Sequence, residues 1–468
     1  MSLEIKKAAV LGAGVMGATI AAHLTNAGIE CYLLDIIPFE LTDDDKKKGL
    51  TEKSPAWRNR FAANGLAGVT KSKPASFFTK KNASMIKIGN FEDNLKWLAD
   101  VDWVCEVVVE NLKIKQELFA KVEKVIKPTC IVSTNTSGIP IKDISAKFSA
   151  DLKKRFLGTH FFNPPRYMKL MEIIPGVETD KAIVDYMCKF SEQTLGKGVV
   201  VCKDTPNFIG NRIGAFDLSN AQRIMYERKY KIDETDAIVG KALGRPGTAL
   251  FGTIDLVGLD IGAHVNKNLY DAVPNDEMRD MFLSLPFGDK MLANKWLGNK
   301  TKQGFYKKTK DAKGKSVKLM LDIDTMEYVP AGKPKFDSIS AAKKKATVAE
   351  SMKTVFYAED RAGEFVREYL CKNFIYSANR MGEICDDIMS IDNAMKWGYN
   401  HKLGPFESWD AVGVKESLEV MKKLKLKVPK KVEEMLKKGC DSFYTVKDDG
   451  VEGVAAFLEH LKKGCDSF

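Results

Sequence analysis

Five histidines occur in the 468 residues, so the search for a side chain that could move a proton near neutral pH is short: His23, His160, His264, His401 and His460. His23 falls within the first helical stretch, where a packing role is expected. His160 differs. The run Leu157-Gly158-Thr159-His160-Phe161-Phe162-Asn163-Pro164-Pro165 places it at the end of a buried-looking strand, just before a turn. If that turn centres near Arg166, the strand 168–174 returns antiparallel, residues whose numbers sum to 332 face each other, and Glu172 stands opposite His160. Directly opposed residues have Cβ atoms about 5 Å apart, close enough for a carboxylate to accept the second N–H of the imidazole. Such an acceptor fixes the tautomer and stabilises the imidazolium that forms when the ring takes a proton. The same pairing also occurs as a cross-strand polar contact with no chemistry, and a bulge in the 163–167 turn would break the register.

A second group of residues points to a cofactor. Gly12-Ala13-Gly14-Val15-Met16-Gly17 follows the apolar run Ala8-Ala9-Val10-Leu11, opens a helix expected to end near Gly28, and is followed by Asp35 at the end of the next strand. Glycines at this spacing let the backbone turn and approach a pyrophosphate, whose charge sits on amides at a helix N-terminus. A merely structural tight turn would not require that strand, helix and acidic residue together. Asp35 would accept hydrogen bonds from the adenosine ribose and repel a 2′-phosphate, so NAD is expected over NADP. Farther on, the strand 130–133 runs into Thr134-Asn135-Thr136-Ser137-Gly138, a hydroxyl- and amide-rich loop at a carboxyl end of the sheet, where ligands bind. Taken alone, that loop reads as an ordinary helix N-cap using Ser137.

These residues need a scaffold, and the chain supplies one in parts. Residues 1–203 alternate strands and helices, with strands expected at 8–11, 31–34, 103–109, 130–133, 156–161, 168–174 and 198–202. The polar, lysine-rich stretch 42–96 is too long for a plain loop and is read as one or two helices projecting from the sheet. After Asp204-Thr205-Pro206 the texture becomes helical. The expected organisation is a Rossmann-type α/β domain over 1–203, a helical domain over 204–300, a lysine-rich linker over 301–350 with a hairpin near 320–329, and a second helical copy over 351–468. Two observations suggest the duplication. Asn207-Phe208-Ile209 with Asn211-Arg212 recurs as Asn373-Phe374-Ile375 with Asn379-Arg380, and Phe251, Asp255, Val257 and Gly258 recur as Phe406, Asp410, Val412 and Gly413. Separately, LKKGCDSF occurs at both 436–443 and 461–468.

Composition excludes several classes. With 44% hydrophobic and 29% charged residues the chain is neither disordered nor collagen-like, and no apolar run is long enough to span a membrane. The start lacks the signature of a secretory leader. The net charge of +11 carries no arginine-rich arm or aromatic-studded patch, so it suits polyanionic small ligands better than nucleic acid. Nine cysteines without a C-x-x-C pair fit a reduced, cytoplasmic protein with no structural metal.

Taken together, the sequence resembles the L-3-hydroxyacyl-CoA dehydrogenase family, including the dehydrogenase part of fatty-acid oxidation multienzyme proteins. The resemblance rests on GAGVMG, VENLKIK at 109–115, NTSG at 135–138, GTHFFNPP at 158–165, MEIIPG at 171–176 and DTPNFIGNR at 204–212, in family order. Asn207 stands where the family more often has glycine. The resemblance implies oxidation of a 3-hydroxyacyl-CoA to the 3-ketoacyl-CoA with hydride passing to NAD. His160 would be the base, Glu172 its orienter, and Ser137 and Asn211 hydrogen-bond donors to the reacting oxygen, with Asn163 also at the substrate. Gly12, Gly14, Val15, Met16, Gly17, Asp35, Glu110, Lys115 and Asn135 would line the cofactor, and Ser54 and Arg60 would meet coenzyme A. A sugar-acid dehydrogenase of gulonate type on the same scaffold, or a CoA- or NAD-binding module without turnover, are the alternatives. A hydratase activity would need a further domain of crotonase type, for which no residues remain. The two helical copies imply a monomer with an internal pseudo-dimer. That dehydrogenase part could belong to a larger fusion or associate with other β-oxidation enzymes.

Overall fold

The computed structural model describes residues 3–447 and 450–453, so the second LKKGCDSF and His460 lie outside the described residues. The chain divides into two compact units, Met1–Phe208 and Ile209–Phe468.

The first unit is built on eight strands: β1 (Lys7–Leu11), β2 (Glu30–Asp35), β3 (Ile86–Asn90), β4 (Trp103–Glu106), β5 (Ile131–Thr134), β6 (Phe156–Phe161), β7 (Leu170–Pro175) and β8 (Gly198–Val201). Their order in the sheet is β3-β2-β1-β4-β5-β6-β7-β8. Strands β1 to β6 pair parallel, β7 runs antiparallel to β6, and β8 is parallel to β7. The strand order reverses beside β1, which opens a crevice at the carboxyl ends there. The strands are near-continuous apolar runs because both faces of a parallel sheet are covered. Val10, Leu33 and Cys105 pack with Ala18, Ala21, Ala22 and Leu24 of helix α1 (Val15–Asn26), whose alanines let it lie close to the sheet.

Two expectations for this unit need correction. The polar stretch 42–96 does hold helices, but it also contains β3, an edge strand paired to β2 from Cys31–Ile86 to Asp35–Asn90. Its alternating Ile86-Lys87-Ile88 was hidden by the surrounding lysines. Strand β4 stops at Glu106 instead of running to residue 109, because the Glu106 carboxylate accepts the Val108 amide at 2.6 Å and turns the chain.

The second unit is mainly helical. Its long helix Gly210–Glu227 packs on the helix Arg361–Arg380: Phe216 stacks on Tyr376 with ring centroids 3.8 Å apart, and the Asn220 amide donates to Tyr369 O and Asn373 Oδ1, each at 3.0 Å. The segment read as a linker is folded. Strands β9 (Tyr306–Lys310), β10 (Ser316–Leu321) and β11 (Tyr328–Pro330) form a sheet in which Met320 faces Val329, as the expected hairpin requires. The extra strand β9 is pinned at its start, where the Phe305 and Tyr306 amides donate to Asp255 at 2.8 Å and the Tyr306 hydroxyl to Asp236 at 2.7 Å.

The second repeat observed in the sequence has a geometric counterpart. The Phe443 and Tyr444 amides donate to Asp410 at 2.9 and 3.0 Å, and the Tyr444 hydroxyl donates to Asp392 at 2.6 Å. Gly258 and Gly413 both take the left-handed region, with φ of 108° and 94°. The first repeat has none. Asn207 and Phe208, at φ of 61° and 51°, precede a helix, whereas Asn373-Phe374-Ile375 lies inside one. Matching letters there do not reflect matching backbone.

Candidate active site

The β6–β7 ladder sets His160 opposite Glu172, with Leu157 opposite Pro175 and Thr159 opposite Ile173, so the pairing rule holds along the whole hairpin. His160 Nδ1 lies 2.6 Å from Glu172 Oε2. Glu172 is fully buried and His160 is 6% exposed. A carboxylate can only accept, so the proton of a neutral imidazole is assigned to Nδ1, which donates to Glu172 and leaves the Nε2 lone pair free. The rings of Phe162 and Phe208 stand edge-on to the imidazole, with centroids 4.8 and 5.8 Å away. They shield the pair from water and strengthen its electrostatics.

Beside this pair lies the loop after β5. Asn135 Oδ1 accepts the Phe161 amide at 2.9 Å, tying the loop to the strand that carries His160. Glu110 receives the Thr136 hydroxyl and the amides of Ser137 and Gly138 at 3.1 and 3.0 Å. The Ser137 hydroxyl has no partner among the described residues. Asp204 accepts the amides of Ile141 and Lys142 at 2.8 and 2.9 Å, fixing the loop's far end.

Under the loop is a buried charge cluster. Lys115 Nζ donates to both oxygens of Glu106 at 2.7 and 3.0 Å, lies 3.3 Å from Glu110, and is 1% exposed. Thr134 adds a hydroxyl to Glu106 at 2.5 Å. Burial pushes the Glu106 carboxyl up despite Lys115; burial also opposes the charge on Glu110, but Lys115, Thr136 and the loop amides outweigh it and hold that carboxyl below its usual range. Glu110 and Lys115, expected to line the cofactor, are bonded to each other and to groups that hold the Ser137 loop. Sequence reasoning missed Glu106, although an acidic residue ending a buried strand nine positions before a lysine was a usable signal, since buried charges are paired.

The glycine-rich loop shows why each glycine is there. A Cβ on Gly12, at φ of 109°, would lie 2.5 Å from Val107 O, and one on Gly17 would lie 1.8 Å from Gly12 O. A Cβ on Gly14 would meet nothing, and Gly14 and the 72% exposed Val15 form the open tip of α1, next to the half-buried Met16. The first and third glycines serve the chain's own packing, while the second leaves room for a ligand to approach the backbone. Asp35 ends β2, and its Oδ2 accepts the Ala13 amide at 2.6 Å, so the acidic residue also fixes the loop. This cradle fits a dinucleotide.

Asn163 is exposed in the β6–β7 turn. Ser54 accepts the Thr51 amide at 2.9 Å, and Arg60 is engaged by the buried Asp45. Asn211 lies in the first turn of the helix Gly210–Glu227, in the second unit, where Oδ1 accepts the Tyr399 hydroxyl at 3.3 Å. His23 is packed inside the first unit against Leu195 O at 3.1 Å. His401 contacts Arg245, and burial with that positive charge holds its imidazole well below the usual range.

Residues 7–205 match the family "3-hydroxyacyl-CoA dehydrogenase, NAD binding domain", and residues 208–308 match "3-hydroxyacyl-CoA dehydrogenase, C-terminal domain". A Bacillus subtilis protein named "Probable 3-hydroxyacyl-CoA dehydrogenase" is 47% identical over 450 residues, covering 96% of this chain and 56% of that protein. The chain thus spans about half the length of that relative. The "Hydroxyacyl-coenzyme A dehydrogenase, mitochondrial" of Sus scrofa is 32% identical over 307 residues, covering 65% of this chain and 91% of that one. Among solved structures, the 3-hydroxybutyryl-CoA dehydrogenase of Escherichia coli K12 shares the fold with a TM-score of 0.65 at 20% identity, covering 99% of this chain and 100% of that one. No helix among the described residues is long and apolar enough to cross a membrane. With an NAD-binding first unit and a family match that continues into the second, the chain belongs to the 3-hydroxyacyl-CoA dehydrogenase family.

Proposed function

We propose that this chain oxidises (S)-3-hydroxyacyl-CoA to 3-ketoacyl-CoA, reversibly, in fatty-acid oxidation or butyryl-CoA-type metabolism. The observation that carries the reading is the buried His160–Glu172 pair, its Nδ1–Oε2 distance 2.6 Å and its Nε2 free. Bound NAD supplies the acceptor for the hydride from C3. His160 Nε2 takes the proton of the 3-hydroxyl while Nδ1–H continues to donate to Glu172, so positive charge develops on the ring beside a fixed carboxylate. In the reverse direction the imidazolium returns that proton to the ketone oxygen.

The unpartnered Ser137 hydroxyl supports its assignment to the reacting oxygen, and the resemblance assigns Asn211 to the same atom. Gly14 and the tip of α1 receive the pyrophosphate, and Asp35 the adenosine ribose. Glu110 and Lys115 hold the Ser137 loop, and the resemblance assigns them, with Asn135, to the lining of the cofactor site. The thioester substrate and the roles of Asn163, Ser54 and Arg60 follow from the resemblance, and the cytoplasmic location from the cysteine pattern. The matching caps at Asp255 and Asp410 support two helical copies in one chain, and with them a monomer whose second copy has no catalytic duty.

The test is a substrate panel followed by NADH absorbance: acetoacetyl-CoA, longer 3-ketoacyl-CoAs and, in the oxidative direction, gulonate. Turnover of the thioesters with none of gulonate is expected. Turnover of gulonate alone would overturn the reading.

A further inference from the structure

Lys197 is a buried ammonium without a counter-ion among the described residues. It precedes β8, where its own amide donates to Ser191 O at 2.9 Å and the next amide, of Gly198, donates to Lys169 O at 2.8 Å. Its side chain turns inward, 5% exposed, and Nζ donates to Pro165 O and to Met168 O, the latter at 3.0 Å, with the Phe161 ring centroid 5.5 Å away. Burial pushes the ammonium down to about 8, and no carboxylate offsets it. An uncompensated buried charge is costly, and what offsets that cost is the pair of turn carbonyls it holds.

Those two carbonyls bracket the turn between β6 and β7, the strands that carry His160 and Glu172. Other groups support the turn from outside: Arg166 donates to Ala75 O and Phe77 O, both at 2.7 Å, and the Tyr167 hydroxyl donates to Ala75 O at 2.9 Å. On the inner side, His23 of α1 contacts Leu195 O at 3.1 Å, two residues before Lys197. The inner support therefore runs from the cofactor helix through 195–197 to the turn. A hairpin's register is set at its turn, and the His160–Glu172 distance depends on that register.

We propose that Lys197 is a positioning residue for the His160–Glu172 pair, its ammonium clamping the β6–β7 turn from inside. This rests on the reading of His160 as the base. Displacing a catalytic group by about 1 Å costs on the order of 100-fold in rate, and with Arg166 and Tyr167 still in place a loss of ~10-fold is expected.

The experiment compares Lys197→Met, which keeps the bulk without donors, with Lys197→Arg, which restores donors, by steady-state reduction of acetoacetyl-CoA and by direct NADH binding. Expected are a kcat lowered ~10-fold in Lys197→Met, an NADH Kd within about twofold of wild type, and partial recovery in Lys197→Arg. The Lys197→Met/Glu172→Gln double variant should be little slower than Glu172→Gln, because both act through one unit. Should the methionine variant not fold, Lys197→Leu, which also lacks donors, is read by the same criteria. Wild-type kcat in the substituted enzyme, a loss of NADH binding that parallels the loss of kcat, or full multiplication with Glu172→Gln would overturn the proposal. If His160→Gln retains wild-type turnover, the base assignment itself has failed. If His160→Gln is inactive while Lys197→Met has wild-type kcat, only the Lys197 clamp has failed.

Discussion

Replacing Glu172 with glutamine tests what a fully buried carboxylate contributes to the pair. Glutamine keeps the shape and an acceptor oxygen for Nδ1–H but removes the charge. With His160 Nδ1 2.6 Å from Glu172 Oε2, the centres of an imidazolium and a carboxylate lie roughly 4 Å apart, and at an effective dielectric of about 20 they attract by about 4 kcal/mol. If the proton is about half transferred in the transition state, about 2 kcal/mol of stabilisation is lost, or roughly 30-fold in rate. For oxidation the ring acts as the base and gains its charge only in the transition state, so kcat and kcat/KM should fall together. Removing the base with His160→Gln should remove about 10²-fold or more, and the double variant should be little worse than the worse single. The assay is steady-state oxidation of 3-hydroxybutyryl-CoA, followed as NADH formation, over a range of substrate concentrations. A wild-type kcat for Glu172→Gln, a change confined to KM, or a double-variant loss equal to the product of the singles would refute the reasoning.

Because Asp35 ends β2 and holds the Ala13 amide, kcat/KM should be larger with NADH than with NADPH, and Asp35→Ser should narrow that ratio; a preference for NADPH in the wild type would contradict the assignment. Burial, with Lys197 nearby, pushes His23 down to about 3. Its unfolded form, near 6.5, binds the proton first, so folded stability is intact above that pH and is lost as pH falls toward 3. By pH 4 the loss is about 3 kcal/mol, which His23→Gln should remove; urea unfolding at pH 7 and pH 4 that shows equal acid losses in both proteins would count against it. Truncation after Pro330 removes the helix Arg361–Arg380 that covers Phe216 and Asn220, so the shortened chain should aggregate or form a new homodimer. Light scattering that finds a well-behaved truncated monomer, or a stable dimer of the intact chain, would dismiss the pseudo-dimer.

The hairpin was legible because two-residue alternation and a single turn centre determine which residues face each other, and that arithmetic put Glu172 opposite His160. The dinucleotide loop was legible because strand, glycines, helix and Asp35 occur together. What escaped was long-range. Strand β3 pairs with β2 across more than fifty residues, and its lysine-flanked alternation carries too little apolar signal to stand out. The segment 301–350 reads as a solvated linker by its lysines, yet Phe305 is buried and Asp255, far back in the chain, accepts two of its amides. The Glu106–Lys115–Glu110 cluster was half visible. Glu110 and Lys115 were found, but only the fold shows them bonded to each other and to the Ser137 loop.

If His160 serves as the base in NAD-linked oxidation at C3 of an acyl-CoA, and as the acid in the reverse reduction, the rate at which the wild-type chain and its His160→Gln variant consume NADH on addition of acetoacetyl-CoA will show it. The wild type should form one 3-hydroxybutyryl-CoA per NADH consumed, and the variant should bind NADH normally while turning over ~100-fold or more slowly. A wild type that binds NADH but turns over no 3-ketoacyl-CoA of any length, or a variant with undiminished turnover, would contradict it.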